Sequence, residues 1–328
     1  MAGAPWPGAV GVSGGSDSLA LMLLLCDWAK RRGMAAPVVL SVDHGLRQEG
    51  GREVRQVLGW AREAGLKAHV LAAKGEPPQS DIEAAARALR YRLMGSWAKK
   101  RKIKAIYVAH TSDDQAETFL IRLGRGSGVD GLSAMRPLSP YPLTEFSELV
   151  LVRPLLGQTR EALRTMLQRR GQAWIEDPMN ADPRFVRARI RQAWPELEAL
   201  GLTKARLADA AAHQARARDA LEEVCAVVMA RACSAEGDSI MIDRKALCGA
   251  PRELGLRVLA RVLTLVSDNP YRPRFERLER LFDLIAAGEL GGGRTLHGCR
   301  IAPKTALGGD RLLVRRENPR RAPAGTSS

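Results

Sequence analysis

The six residues Ser13-Gly14-Gly15-Ser16-Asp17-Ser18, called here the glycine loop, most constrain how this chain can fold. They follow a short apolar stretch, residues 8–12, and precede a segment with helical character, residues 19–30. Adjacent glycines let the backbone approach a ligand closely, and the free N–H groups of a helix start attract anions. The loop therefore predicts a phosphate site. It is not a Walker loop, because no Gly-Lys-Ser/Thr follows, and the alternative is an ordinary glycine-rich turn.

Apolar runs and amphipathic segments alternate through the first half of the chain. The apolar runs are residues 8–12, 37–42, 68–71, 105–109 and 149–152, and the helical segments are residues 18–32, 53–65, 81–99, 113–123 and 159–170. Short continuous apolar strands that alternate with helices are typical of a buried parallel sheet. The pattern predicts an α/β fold, a doubly wound parallel sheet with helices on both faces.

The character of the chain changes after Pro195. A long Ala/Arg-rich helix is predicted over residues 203–232, followed by helices over 252–266 and 274–287 and short strands at 239–242 and 312–314. We predict a catalytic domain over residues 1–200, a second, smaller and mostly helical domain over 201–317, and a mobile tail over 318–328.

Composition narrows the class of protein. The chain has 51 Lys and Arg against 36 Asp and Glu, a formal charge of +15, which favours a polyanionic partner, although a basic composition serving solubility is the alternative. Its five cysteines include no Cys-x-x-Cys pair, which argues against disulfide, zinc and iron–sulfur frameworks. No apolar run has membrane-spanning length and no secretory signal is evident, so we expect a cytoplasmic protein without a membrane partner.

Three polar clusters follow predicted strands, at residues 13–18, 43–47 and 110–114. In a doubly wound sheet, ligands bind outside the carboxyl ends of the strands, where the strand order reverses. The three clusters are therefore expected to converge on one edge of the sheet.

The second and third clusters carry most of the charged candidates. In the second, Arg47 is suited to phosphate or developing negative charge, and Asp43 lies four residues before it. In the third, Asp113, Asp114 and Glu117 are suited to a metal ion or an ammonium group, and Asp113 and Glu117 share a helix face. The alternative for the third cluster is helix capping, which is compatible with function.

Two arginine-rich segments complete the candidates. Arg125 lies in a loop with four glycines, and a plain surface loop is its alternative reading. Farther along, four arginines lie close to Trp174 and Phe185: Arg184, Arg187, Arg189 and Arg191. Guanidinium and aromatic groups together suit unstacked bases and backbone phosphate, and a solvated helix face is the alternative.

An ordered series of motifs resembles the tRNA(Ile)-lysidine synthase family, whose glycine loop is the PP-loop of ATP pyrophosphatases. The series comprises Ser-Gly-Gly-x-Asp-Ser (13–18), Asp-His-Gly-Leu-Arg (43–47), Ala-Arg-x-x-Arg-Tyr (86–91), Asp-Asp-Gln-Ala-Glu-Thr (113–118), Arg-Gly-Ser-Gly-x-x-Gly-Leu (125–132), Arg-Pro-Leu-Leu (153–156) and Glu-Asp-Pro-x-Asn (176–180). The resemblance covers roughly residues 8 to 192 and implies an adenine nucleotide alpha hydrolase-like fold.

The resemblance implies a two-step ligation. ATP adenylates the C2 oxygen of the wobble cytidine in tRNA(Ile) with a CAU anticodon and releases diphosphate. The ε-amine of L-lysine then attacks C2 and releases AMP, which leaves lysidine and changes decoding from AUG to AUA. The expected partners are this tRNA and L-lysine, and the family further suggests a homodimer.

The resemblance also implies roles for the candidate residues. The glycine loop would hold the ATP phosphates, assisted by His44 and His110, and Asp17 would share a Mg²⁺ ion with them. Asp17, Asp43, Arg47, Asp113 and Asp114 are the predicted catalytic residues. Asp113 and Asp114 are also predicted to contact the substrate. The other predicted substrate-binding residues are Glu117, Arg125, Arg184, Arg187, Arg189 and Arg191.

The chain departs from the family at three points. Thr111 stands where many members have a second histidine, and Ala188 stands where an asparagine is usual. We also expect a shorter form that lacks the third domain of the longer members. Two other functions stay open: a PP-loop tRNA thiolase, which usually needs paired cysteines near the site, and a nucleotide-regulated RNA-binding protein without catalysis. An amidotransferase such as GMP synthetase would need a glutaminase domain, for which the chain has no room.

Overall fold

The structure is a computed structural model that describes residues 3–43, 50–72, 82–176, 182–269, 271–304 and 310–317, without the side chains of residues 82 and 83. His44, Arg47 and the predicted mobile tail lie outside the described residues. The chain divides into two compact units, Met1–Ala215 and Arg216–Ser328. The division falls within one long helix, and the functional boundary after residue 200 stays a prediction.

The first unit is built from one six-stranded sheet and its helices. The strands are β1 (Ala9–Gly11), β2 (Val38–Asp43), β3 (Ala68–Ala72), β4 (Ala105–Tyr107), β5 (Leu138–Pro140) and β6 (Val150–Val152). The helices are α1 (Ser16–Arg31), α2 (Gly50–Glu63), α3 (Ile82–Lys100), α4 (Ser112–Leu123), α5 (Val129–Leu132), α6 (Arg160–Arg169), α7 (Val186–Gln192), α8 (Trp194–Ala199) and α9 (Lys204–Ala232), with a 3-10 turn at Thr144–Phe146.

The strand order β3-β2-β1-β4-β6-β5 confirms the predicted doubly wound sheet. Strands β1 to β4 and β6 are parallel, and β5 pairs antiparallel with β6. The order reverses between β1 and β4, which opens the crevice for a ligand beside the glycine loop. The sequence did not predict β5, because this three-residue edge strand ends in a proline.

Successive residues of the buried strands point to opposite faces of the sheet. Val10 and Val39 pack in a core with α1, α2 and α6. Ala9 and Leu40 pack in a second core with Tyr91 of α3. Burial on both faces explains why the strands read as continuous apolar runs.

The second unit combines helices with a five-stranded antiparallel sheet. Its strands are β7 (Cys233–Glu236), β8 (Ser239–Asp243), β9 (Arg294–Leu296), β10 (Cys299–Pro303) and β11 (Arg311–Arg316), in the order β7-β8-β11-β10-β9. Its further helices are α10 (Arg244–Cys248), α11 (Arg252–Ser267) and α12 (Phe275–Ala287). The predicted helices and the two predicted strands are present, but the sheet is larger than the sequence indicated, since β7, β9 and β10 are short and mostly exposed on one side.

Two helical glycines of the first unit give a matched test of packing. A Cβ at Gly95 would lie 2.5 Å from Cδ2 of the buried Phe146, whereas a Cβ at Gly59 would meet open space. We expect Gly95→Ala to destabilise the unit by about 1–3 kcal/mol through overpacking. Gly59→Ala should instead stabilise it by about 0.5–1 kcal/mol, because glycine is unfavourable inside a helix. Urea unfolding of both variants checks the pair, and equal midpoints would contradict this packing of α3.

Candidate active site

The glycine loop joins β1 to α1 in a backbone shape that requires glycine. Gly14 has a φ of +93°, and a Cβ there would lie 2.6 Å from Cδ1 of Ile175. Gly15 is the N-cap of α1 and supplies no side chain, so no side-chain cap occupies the first N–H groups of the helix. These groups lie at the positive end of the helix dipole, which is the arrangement that binds phosphate.

Serine hydroxyls hold the loop in this shape. Ser18 accepts a hydrogen bond from the Ser13 backbone N–H at 3.2 Å and donates to the Gly15 carbonyl at 2.9 Å. Ser18 and the neighbouring Ser16 are buried, whereas Ser13 is exposed. Ser18 is thus committed to shaping the loop, and Ser13 is the hydroxyl that faces outward.

A second chain segment, residues 172–176, packs against the loop. The Ile175 N–H donates to the Gly14 carbonyl at 2.9 Å. Trp174 donates through Nε1 to Glu176 Oε1 at 2.7 Å, and Arg164 Nη2 pairs with the same oxygen at 2.9 Å. The predicted RNA-facing Trp174 is therefore half-buried beside the loop, and residues 177–180 of the same motif lie outside the described chain.

Helix α4 carries three buried acids at its start. Thr111 is the N-cap: its hydroxyl accepts from the Asp114 N–H at 3.4 Å, and Asp114 Oδ2 accepts from the Thr111 N–H at 2.8 Å. Asp113, Asp114 and Glu117 are all buried. Capping and charge therefore coexist in Asp114, as the sequence allowed. We call Asp17, Asp113, Asp114 and Glu117 the acid cluster.

Arg160, the first residue of α6, connects the acid cluster to the glycine loop. Its Nε donates to Asp17 Oδ2 at 3.0 Å, its Nη2 lies 3.6 Å from Asp114 Oδ1, and its Nη1 lies 4.0 Å from Glu117 Oε1. Its backbone N–H donates to Asp113 Oδ2 at 2.8 Å. Sequence reasoning missed Arg160, because no neighbouring residue in the chain distinguishes it from a surface arginine.

Three more cations neutralise the cluster from the opposite side. Arg187 Nη1 lies 2.8 Å from Glu117 Oε2 and 3.2 Å from Asp114 Oδ1, and Arg191 Nε donates to Glu117 Oε1 at 2.7 Å. Lys204 Nζ lies 3.3 Å from Asp113 Oδ1. The acid cluster therefore forms ion pairs with side chains from three helices, α6, α7 and α9.

The structure divides the four arginines that the sequence grouped as one substrate-binding patch. Arg187 and Arg191 point into the acid cluster, and their side chains are 29% and 25% exposed. Arg184 is 81% exposed and pairs with Asp182 at 2.6 Å, while Arg189 is exposed on α7. The four arginines thus serve two different surroundings, and their contact with substrate stays a prediction.

Burial and charge set the protonation of the site in different directions. Burial raises the pKa of the Asp17 carboxyl, and Arg160 only partly offsets this rise. Burial also favours the neutral form of Asp114, but Arg160, the Thr111 backbone N–H and Arg187 overcome it and lower its pKa. Burial acts against the charge of Arg160 as well, yet the carboxylates around it raise its pKa. Of Asp17 and Asp114, Asp17 is therefore the acid that takes up a proton more readily than an exposed aspartate.

His110 lies beside the acid cluster in a buried environment. Burial lowers its pKa to about 3, and Arg153, Arg87 and Arg187 act in the same direction while Asp114 opposes them. Its Nδ1 is buried and has no hydrogen-bond partner among the described residues. His110 is thus a neutral imidazole at physiological pH, and its predicted contact with a nucleotide stays a prediction.

The other predicted residues lie elsewhere or are not described. Asp43 ends β2, and its Oδ1 faces Gly50 at the start of α2. Arg125 is exposed in the turn after α4. His44 and Arg47 lie outside the described residues, so their roles stay predictions.

The donor set also bears on a metal ion. Within the described ranges, no group of three or more His, Cys, Asp or Glu residues could hold a metal by itself. Asp17 nevertheless fits a Mg²⁺ ion that is bound through one carboxylate, waters and substrate phosphates, because it stands at the edge of the glycine loop.

Across the same described ranges, no helix is both long and apolar enough to cross a bilayer.

Comparison with known proteins defines the class of this fold and site. The family described as PP-loop domain matches residues 8–197, which includes the glycine loop, the acid cluster and Arg160. The first unit is therefore a PP-loop domain.

Curated relatives specify the family further. A tRNA(Ile)-lysidine synthase of Ruegeria pomeroyi is 38% identical over 323 residues, which cover 93% of this chain and 76% of the relative. A tRNA(Ile)-lysidine synthase of Methylobacterium nodulans is 40% identical over 330 residues, covering 96% of this chain and 93% of the relative. The chain belongs to the tRNA(Ile)-lysidine synthase family.

A solved structure shares the fold alone. The U34-tRNA thiolase NcsA from Methanococcus maripaludis superposes with a TM-score of 0.51 at 16% sequence identity, covering 63% of this chain and 71% of the thiolase.

The charge balance around Glu117 predicts a stability effect. Its side chain is 1% exposed and pairs with Arg187 and Arg191. Glu117→Gln removes the carboxylate that these two guanidinium groups share, and we expect a loss of roughly 2 kcal/mol in unfolding free energy. This is less than the 3–5 kcal/mol of a fully buried pair, because the arginines keep some contact with water. The control is Asp182→Asn at the exposed Arg184 pair, which should unfold like the parent protein; an equal loss in both variants would contradict the assignment.

His110 predicts a pH dependence. An unfolded histidine titrates near 6.5 and the folded one at about 3, so between these values the unfolded chain binds more protons. The stability contributed by the neutral imidazole is complete above pH 6.5 and is lost as the pH falls toward 3. The raised pKa of Asp17 acts with the opposite sign. We expect unfolding free energy to fall from about pH 7 to pH 5, and His110→Gln to flatten this slope, whereas His213→Gln at an exposed position should leave it unchanged.

Proposed function

We propose that this chain ligates L-lysine to C2 of the wobble cytidine of tRNA(Ile) with a CAU anticodon, at the expense of ATP, and forms lysidine. AMP and diphosphate are the other products. The observation that carries the proposal is the Arg160 link between the two halves of the site. One guanidinium contacts Asp17 of the glycine loop at 3.0 Å and the Asp114 carboxylate at 3.6 Å, so a nucleotide phosphate and an amine would be held side by side.

The first step uses the glycine loop. The loop N–H groups and the start of α1 bind the phosphates of ATP, and Arg160 lies close enough to Asp17 to stabilise negative charge there. The C2 oxygen of cytidine forms a bond to the α-phosphorus, and the bond to diphosphate breaks. Asp17 is the residue that would hold a Mg²⁺ ion, and such an ion would supply charge neutralisation for the departing diphosphate.

The second step uses the acid cluster. The lysine amine is protonated in water, because its pKa is about 10.4, and must lose a proton before it attacks. Asp113, Asp114 and Glu117 orient the ammonium group, and one of these carboxylates accepts its proton. An ammonium group of the chain itself already lies beside these acids, since Lys204 Nζ is 3.3 Å from Asp113 Oδ1. The neutral amine then forms the C2–N bond, the C2–O bond to the adenylate breaks, and AMP leaves with the oxygen.

The target base lies in an anticodon loop, so few base pairs break when it enters the site. We assign the exposed Arg184 and Arg189 to the surface that holds the tRNA, together with the second domain. This assignment is supported by the formal charge of +15, which attracts a polyanion.

The two rival functions account for less of the site. A thiolase would use cysteine chemistry, yet Cys26 donates to the Ala64 carbonyl at 3.6 Å in the core, and the other four cysteines belong to the second unit. An RNA-binding protein without catalysis leaves the buried acids beside the glycine loop without a purpose. Release of diphosphate that depends on tRNA separates this rival from an enzyme.

The direct test is mass analysis of the nucleosides of a tRNA(Ile) transcript with a CAU anticodon after incubation with ATP and labelled lysine. We expect the label in the wobble nucleoside as lysidine. Unmodified cytidine at that position would refute the proposed function, and a sulfur-containing nucleoside would favour the thiolase.

Two aspartate variants separate the two steps. Asp17→Asn should lower tRNA-dependent diphosphate release roughly 100-fold, because Arg160 loses its charged partner and Mg²⁺ would lose its carboxylate ligand. Asp113→Asn should keep diphosphate release but raise the KM for lysine and stop lysidine formation. Both should retain tRNA in filter binding, and Asp209→Asn, at an exposed position of α9, serves as the matched control. Normal lysidine formation by either variant would remove that residue from the site.

A further inference from the structure

The exposed aromatic side chains of this protein are concentrated in one place. The chain has six Trp, four Tyr and five Phe residues. Among the described residues, only Tyr271 and Phe275 of these types are exposed, at 71% and 59%. They stand four residues apart in the second unit, with Tyr271 between α11 and α12 and Phe275 as the first residue of α12. We call residues 271–275 the aromatic turn.

The aromatic turn is held in place by its own hydrogen bonds. Asp268 ends α11 with a φ of +56°, and the Asn269 side chain accepts from the Tyr271 N–H at 3.1 Å. Arg316 of β11 donates to the Ser267 carbonyl at 2.7 Å and ties the end of α11 to the sheet. Arg274 is the N-cap residue of α12. These hydrogen bonds fix the backbone that carries the two rings, so binding a ligand there would cost little conformational entropy.

Arginines surround the two rings. Arg272, Arg274 and Arg277 are exposed on the turn and the first turn of α12, and Arg261 is exposed on α11. The acids of the same stretch are Asp268 and Glu276. The surface therefore combines a net positive charge with two flat apolar rings.

We propose that the aromatic turn is a docking surface for unpaired nucleotides of the tRNA, whose bases stack on Tyr271 and Phe275 while their phosphates contact the neighbouring arginines. The inference rests on the proposed function and gives the second unit a defined part in it. Stacking on aromatic rings beside cations is the usual way to hold unpaired nucleotides, because every base has a flat face. A second copy of the chain fits less well, since a symmetric contact would bring each arginine cluster against itself.

The test compares ring-deleting with ring-preserving variants. Tyr271→Ala/Phe275→Ala should raise the Kd for full-length tRNA(Ile) and the KM for tRNA by at least about 30-fold, because two stacked bases are lost. The value of kcat and the KM for lysine should stay unchanged. Tyr271→Phe/Phe275→Tyr keeps both rings and should bind like the parent protein. Arg274→Gln/Arg277→Gln should lower the salt dependence of binding.

The readouts distinguish failure of this inference from failure of the proposed function. If the parent protein forms lysidine and the alanine variant binds tRNA equally well with an unchanged melting temperature, the docking surface is refuted. If both double variants weaken binding alike, the rings do not stack on bases and the inference also fails. Sedimentation without RNA that shows a dimer in the parent and a monomer in the alanine variant would reassign the surface to self-association. Absence of lysidine in the parent protein concerns the proposed function alone, because tRNA binding is measured separately.

Discussion

The contact between Arg160 and the carboxylates around it is the interaction on which the site depends. Four acids from α1 and α4 lie within reach of each other, and three of them are buried. Like charges at such spacing repel strongly in a poorly solvated environment. Arg160 meets Asp17 and Asp114 at once, and Arg187 and Arg191 balance Glu117. Without these cations the acids could not remain charged beside a phosphate-binding loop.

The same arrangement explains how one site could serve two chemical steps. Asp17 belongs to the glycine loop, and Asp113 and Asp114 belong to the helix that follows β4. Because β1 and β4 are neighbours at the point where the strand order reverses, both groups face one crevice. The fold therefore supplies the proximity that a transfer from nucleotide to tRNA to amine requires.

The alternation of apolar runs and helices predicted the sheet, and the glycine-rich motif predicted the turn between β1 and α1, because both patterns are local. The strand β5, the larger sheet of the second unit and Arg160 were not predictable in this way. A three-residue edge strand carries too few side chains to show a period. Arg160 is one of 51 Lys and Arg residues, and nothing adjacent in the chain separates it from a surface arginine.

The sequence by itself determined the doubly wound fold, the glycine loop and the acids Asp113, Asp114 and Glu117, because hydrophobic period and capping act over a few residues. Only the tertiary structure decided which cations meet those acids. Arg187 and Arg191 lie 70 or more residues from Glu117 in the chain, and the sequence alone grouped them with exposed Arg184 and Arg189. Whether an arginine of α7 faces the acids or the solvent depends on which face of the helix packs against the rest of the protein, and the whole fold determines that face.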